Sequence, residues 1–155
     1  MNTSSQRMPL VPASIGDVID RLTILHLKQK HIEAGDARRA HVDRECHHLE
    51  RALTEQCGLH LDRVLSTPAV QELALINGRL WDVEDEIRLC LKADRYDEHF
   101  VNLARSVPLL NDQRSALKYR INSEYGSALV EVKSYDGFEI DRLKNVDAKG
   151  NVSGS

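Results

Sequence analysis

Apolar residues recur at spacings of three and four in four stretches of the chain, which is the period of helices with one buried face. The longest stretch, residues 69–91, predicts a helix whose plain apolar row consists of Leu73, Leu80 and Ile87. A second row runs beside it and carries Asn77, Trp81, Glu84 and Arg88. Polar groups therefore lie next to the core face, and this helix is the first place to look for a functional site.

Capping signals place the two helices that precede this stretch. Ser14 followed by Asp17 is a capping-box pattern, and it starts a first helix that extends to about residue 33. Asp36 is placed to cap a second helix over about residues 37–57. The narrow apolar seam of that second helix indicates an outer position.

Thr67-Pro68 starts the third helix. The fourth predicted helix covers about residues 98–125 and has Asp97 as its cap. Its seam is coiled-coil-like and consists of Phe100, Leu103, Val107, Leu110, Arg114, Leu117 and Ile121. Arg114 occupies a seam position where an apolar residue is expected. Pro108 predicts a kink, or a split near Ser106.

Together these elements predict an all-α protein, a four-helix antiparallel bundle with a short C-terminal β-strand or hairpin. The β-branched run at residues 128–135 indicates the strand. The predicted organisation is an extended tail over 1–13, a helical bundle domain over 14–126, a strand or hairpin packed on the bundle over 127–143, and a disordered tail over 144–155.

Composition narrows the setting. The 155 residues suffice for one domain with a core, and the net charge of −3 argues against nucleic acid as a partner. No apolar run approaches a membrane span, and the N-terminus lacks the apolar core of a signal peptide. Three cysteines, Cys46, Cys57 and Cys90, predict reduced thiols and a cytoplasmic location.

The candidate site joins the third and fourth helices. An arginine in a helical seam needs a carboxylate, and Glu84 is the expected partner of Arg114, with Asp20 of the first helix able to join. The ligand-binding hypothesis comprises Asp20, Asn77, Trp81, Glu84, Arg88, Asn111, Arg114 and Lys118. Two interpretations stay open: a structural network that fixes helix register, or a pocket for an anionic ligand.

Metal and catalytic motifs are weaker. The acidic run at residues 82–86 is explained by a solvated helix face, and Glu45-x-x-His48 lacks the second copy that a di-iron site requires. We therefore predict no metal and no cofactor. No phosphate loop or nucleophile motif occurs, and the sequence does not decide whether the protein is an enzyme.

Several stretches share one pattern: residues 14–25, residues 80–88, Phe100 with residues 103–107, Asn111-Asp112-x-Arg114, Lys118, Ile121-Asn122, and residues 126–135. Together they resemble an uncharacterised family of small helical bacterial proteins, a domain of unknown function, over about residues 9–135. The chain departs from the family pattern at His26, where an acidic residue is expected. The resemblance implies a cytoplasmic bacterial setting and supports the polar candidates as one unit.

The predicted function is a non-catalytic protein-interaction or self-associating module whose partner is another protein or a second copy. A homodimer is favoured if Leu27 or Leu89 is exposed. The alternative is an enzyme or binding protein for an anionic, phosphorylated metabolite, with an Arg/Lys/Glu pocket between the third and fourth helices. Neither nucleic acid nor a membrane is an expected partner.

Overall fold

A computed structural model describes residues 8–132, which are predominantly helical. The elements are α1 (Ile15–His31), α2 (Ala37–Arg51), a π-helical turn (Ala52–Gln56), α3 (Leu61–Leu65), α4 (Pro68–Lys92) and α5 (Glu98–Glu124). The all-α class is confirmed, whereas the four-helix antiparallel bundle and the strand are not. Residues 128–132 contain no strand, and the remainder of the predicted hairpin and the tail from 144 lie outside the described residues.

The predicted helix starts are confirmed. Ser14, Asp36, Thr67 and Asp97 are the N-cap residues of α1, α2, α4 and α5. The Ser14 hydroxyl accepts the backbone N–H of Asp17 at 3.0 Å, and the carboxylates of Asp36 and Asp97 accept backbone N–H groups in the same way. The side chains of Ser14, Asp36 and Asp97 each satisfy a donor that the first helical turn leaves without a partner, whereas the side chain of Thr67 makes no such bond.

Some helix ends differ from the prediction. α1 ends at His31, two residues before the predicted end, whereas α2 and the π-helical turn together reach Gln56, close to the predicted end at about residue 57. α5 is one continuous helix, so the alternative of a split near Ser106 is wrong, and the kink at Pro108 stays a prediction. Leu109 and Leu110 beside the proline are buried, and this packing holds the turn in which a backbone hydrogen bond is lost.

α1 is the central helix and contacts α2, α4 and α5. Its side chains Ile19 and Leu22 are fully buried, and they meet Leu73 of α4 and Ile121 of α5 in one core. No helix within residues 8–132 is both long and apolar enough to cross a membrane. All three cysteines are free.

α4 and α5 form a hairpin that is longer than α1. The contact between His31 and Trp81 marks the end of α1 on α4. α4 continues eleven residues past Trp81 to Lys92, about 16 Å at the rise of an α-helix. Cys90 and Leu103 are buried in this extension, apart from the main core.

Candidate functional site

The centre of the polar constellation is an ion pair between α1 and α5. Arg114 Nε donates to Asp20 Oδ1 at 2.8 Å, and Arg114 Nη2 donates to Asp20 Oδ2 at 2.5 Å. The Asp20 side chain is only 7% exposed and that of Arg114 27% exposed. The hydrogen bonds with Asp20 raise the pKa of Arg114, so the guanidinium stays charged. This two-point geometry is the strong form of a charge-assisted contact.

Two buried residues complete the hydrogen bonding of Asp20. Asn77 Nδ2 of α4 donates to Asp20 Oδ1 at 2.9 Å and to Thr23 Oγ1 at 2.9 Å. The Thr23 hydroxyl donates to the Asp20 carbonyl oxygen at 2.7 Å. The buried carboxylate is thereby bonded to donors from α4 and α5. Thr23 was not among the sequence candidates, although its position one turn after Asp20 places it on the same face.

The predicted pairing of Arg114 with Glu84 is wrong. Glu84 Oε2 instead accepts from Arg88 Nη2 of its own helix at 3.3 Å. α1 packs against both α4 and α5, and this brings the buried carboxylate of Asp20 to the guanidinium. Glu84 is half-exposed, so it can keep its charge in solvent without that partner.

Lys118 belongs to a second cluster near the start of α1. Its Nζ donates to Asp17 Oδ1 at 2.9 Å and also contacts the carboxylate of Glu131. Burial disfavours the charged lysine, but the hydrogen bonds to Glu131 and Asp17 outweigh it and raise the pKa of Lys118. Burial likewise opposes the charge on Asp17, yet hydrogen bonds from Lys118 and Ser14 hold the pKa of Asp17 below 3.8.

The same end of α1 lies very close to α5. The backbone N–H of Gly16 donates to Asn122 Oδ1 at 2.6 Å, and Asn122 is buried. A Cβ on Gly16 would lie 2.6 Å from the carbonyl oxygen of Lys118, so only glycine fits. The backbone N–H of Ile15 donates to Ser127 Oγ at 3.1 Å. These contacts were not anticipated, because nothing local to either helix specifies them.

A pocket of about 240 Å³ opens between α1, α4 and α5. It is lined by Ile24, Leu27, Asn77, Leu80, Trp81, Glu84, Asp85, Arg88 and Arg114. Five of the eight predicted ligand residues therefore line this pocket, namely Asn77, Trp81, Glu84, Arg88 and Arg114. Asp20 lies behind Arg114, and Asn111 Oδ1 accepts from Arg114 Nη1 at 3.4 Å. Lys118 is absent from the lining.

The pocket lining mixes ion pairs with an aromatic face. Arg88 Nη1 lies 3.2 Å from Asp85 Oδ1, and these side chains are more than half exposed. The ring of Trp81 stacks on His31 with centroids 4.6 Å apart and an interplanar angle of 22°. The buried Nε1 of Trp81 has no hydrogen-bond acceptor among the described residues.

The arrangement contains two chemically different parts. The contacts among Asp20, Arg114, Asn77 and Thr23 form a network that orients three helices, and its members Arg114 and Asn77 also line the pocket. The pocket beside it presents donors and apolar surface to solvent. No group of three or more His, Cys, Asp or Glu side chains within residues 8–132 is placed to hold a metal ion.

Comparison with known proteins places the chain at family level. No curated protein and no solved structure matches it. Residues 10–142 match a family described as a family of unknown function (DUF6165). This match confirms the family resemblance found in the sequence. Since it covers most of the 155 residues, the chain belongs to this family of unknown function, DUF6165.

Proposed function

We propose that the protein is a non-catalytic helical interaction module that self-associates through the exposed end of the α4–α5 hairpin. The observation that carries this proposal is the extension of the hairpin past the end of α1, with Leu89 of α4 58% exposed on it. The sequence made exposure of Leu89 or Leu27 the condition for a homodimer, and Leu89 meets it. Leu27 instead lines the pocket.

The charges around Leu89 favour a second copy as the partner. Glu86 precedes Leu89 by three residues and Lys92 follows it by three, so all three lie along one face of α4. Two α4 helices packed antiparallel with Leu89 at the two-fold axis would bring Glu86 of one copy to Lys92 of the other, twice. The Glu86 side chain is half-exposed, and Lys92 is exposed.

The internal ion pair supports a structural role for Arg114. Both oxygens of Asp20 accept from the guanidinium, so the most buried charge of the constellation is already neutralised within the chain. A polar network of this kind fixes how α1 docks on α4 and α5. Free thiols at all three cysteines support a reducing, cytoplasmic setting.

Sedimentation equilibrium of the full chain over a range of concentrations tests self-association. We expect the wild type to approach twice the mass of one chain and Leu89→Glu to remain monomeric. Leu75→Glu is the matched control, because Leu75 is 69% exposed on the same helix but lies about 21 Å from Leu89 along the axis. A monomeric wild type at all concentrations, or equal loss with both variants, would contradict the proposal.

Charge exchange tests the two-fold geometry itself. Glu86→Lys and Lys92→Glu should each weaken self-association, because each places like charges opposite one another. The double exchange restores opposite charges and should recover most of the wild-type association. If the double variant is weaker than both single variants, the antiparallel packing around Leu89 is wrong.

A second candidate function is favoured by the pocket. We propose as this alternative that the protein binds a small anionic metabolite there, through Arg88 and Arg114. Its support is the convergence of these two arginines with Trp81 and Asn77 around one opening. Thermal melting with a panel of organic anions tests it, because a ligand that binds only the folded chain raises Tm. No shift with any anion would count against this candidate.

A further inference from the structure

The floor of the pocket sets the size and character of what it can hold. Ile24, Leu27 and Leu80 supply aliphatic surface, and the ring of Trp81 supplies an aromatic face. The volume of about 240 Å³ is below the range of about 300–1,000 Å³ usual for drug-sized ligands. The pocket therefore suits a compact molecule with an apolar body.

Three donor groups of the lining have hydrogen-bonding capacity left over. The buried Nε1–H of Trp81 lacks an acceptor in the described part of the chain, which is uncommon for a buried donor. Arg114 uses two nitrogens on Asp20, and among residues 8–132 its Nη1 has only Asn111 Oδ1 as an acceptor, at 3.4 Å. Arg88 meets its carboxylates at 3.2 and 3.3 Å, longer than the usual 2.7–2.9 Å. Arg88 and Arg114 are the two of these donors that are at least partly exposed, so an acceptor in the pocket can reach them.

The charges around the pocket distinguish between a phosphate and a carboxylate as the anionic group of a ligand. The guanidinium groups of Arg88 and Arg114 are accompanied by the carboxylates of Glu84 and Asp85 in the lining, with Asp20 behind. A dianionic phosphate would face repulsion from three carboxylates, whereas a monoanion faces about half of it. A carboxylate also matches the planar fork of arginine. It can replace the loosely held Glu84 or Asp85 on Arg88.

We propose that this pocket binds a small organic monocarboxylate with an aromatic or branched aliphatic body. The carboxylate accepts from Arg88 and Arg114, while the body packs on Ile24, Leu27 and the ring of Trp81. The inference rests on the second candidate function and specifies the anionic group of its metabolite as a carboxylate, where the sequence predicts a phosphate.

Fluorescence of the full chain measures binding directly, because Trp81 is its one tryptophan. Phenylacetate, phenyl phosphate and benzylamine are suitable probes, since they share a phenyl body and differ in the charged group. We expect phenylacetate to change the Trp81 emission at a concentration about tenfold lower than either of the others. A thermal-shift titration with the same probes gives an independent ranking.

The outcomes separate the inference from the function on which it rests. Preference for phenyl phosphate would overturn the carboxylate inference and leave anion binding intact. Preference for benzylamine, or no response to any probe, would overturn both. Equal responses to all three would show an apolar site without recognition of the charged group, and this too would overturn the inference.

A matched pair of variants locates the contact. Arg88→Gln should raise the Kd of phenylacetate about tenfold, because the carboxylate loses a charge-assisted hydrogen bond. Arg105→Gln removes an exposed arginine of α5 outside the pocket lining, and it should leave the Kd unchanged. Both positions are exposed, so both variants are expected to fold, and thermal melting checks this. Equal effects of the two variants would place binding elsewhere.

Discussion

A buried charge is tolerated at Asp20 because several donors from different helices meet it. Arg114 provides two hydrogen bonds and Asn77 a third, and these replace the water that the carboxylate loses. The pair itself adds little net stability, because desolvation of both ions offsets their attraction. Removal of one partner is different, since the other is left buried and unpaired.

This asymmetry gives the first prediction at the residue scale. Arg114→Met should lower the free energy of unfolding by about 3 kcal/mol, because Asp20 loses its countercharge. The double variant Asp20→Leu with Arg114→Met should lose less than the sum of the two single losses. Urea denaturation of the four proteins measures the cycle.

Arg105→Met serves as the control for this cycle, since Arg105 is exposed on the same helix. We expect its effect to be within about 0.5 kcal/mol of zero. Additive losses from Asp20→Leu and Arg114→Met would show that the two side chains do not act as a pair.

At the scale of elements, the sequence predicts what is determined locally. Each of the four long helices begins at the predicted cap, because cap and first turn are adjacent in sequence. The helical period of the sequence likewise predicts the polar row of α4 and the position of Arg114 within the apolar seam of α5. The partner of Arg114 is not predicted in this way, because it depends on how α1 crosses α4 and α5. A heptad pattern fixes which face is buried and leaves open which neighbour covers it.

Replacing either of two helical glycines by alanine should change the free energy of unfolding, and in opposite directions. Gly16→Ala should destabilise by about 1–3 kcal/mol, because its Cβ would meet the backbone of α5 at 2.6 Å and push the helices apart. Gly78→Ala should stabilise by up to about 1 kcal/mol, because its nearest neighbour, Leu27, is 4.0 Å away and alanine favours helix. Urea denaturation distinguishes the two. Stabilisation by Gly16→Ala would show that α1 and α5 can separate at little cost.

On the scale of the whole molecule, Lys118 ties three parts of the chain together. It contacts Asp17 at the start of α1 and Glu131 in the segment after α5. Because the pKa of Asp17 is lowered in the folded protein, the unfolded chain binds a proton there more readily. The contribution of the Asp17 carboxylate to the stability of the fold is therefore complete above its ordinary pKa of 3.8. It is lost as the pH falls through the lower pKa that Asp17 has in the folded protein.

Acid titration of stability tests this link. Between about pH 5 and about pH 3, the urea midpoint of the wild type should fall more than that of Asp17→Asn, which has no carboxylate to protonate. Asp62→Asn, at an exposed position on α3, is the control and should follow the wild type. An equally steep fall for Asp17→Asn would assign the acid sensitivity to other groups.

The contacts between α1 and α5 also have a consequence for the order of events during synthesis. Gly16 and Asn122 are 106 residues apart, and Ile15 and Ser127 are 112 apart. At about 5–20 residues per second, a ribosome delivers α5 about 5–20 s after α1. Until α5 has been synthesised, it cannot cover the apolar face of α1, and the Asp20 carboxylate has no guanidinium to pair with. Docking of α1 on α5 is accordingly a late, long-range step, during which a nascent chain is most exposed to chaperones.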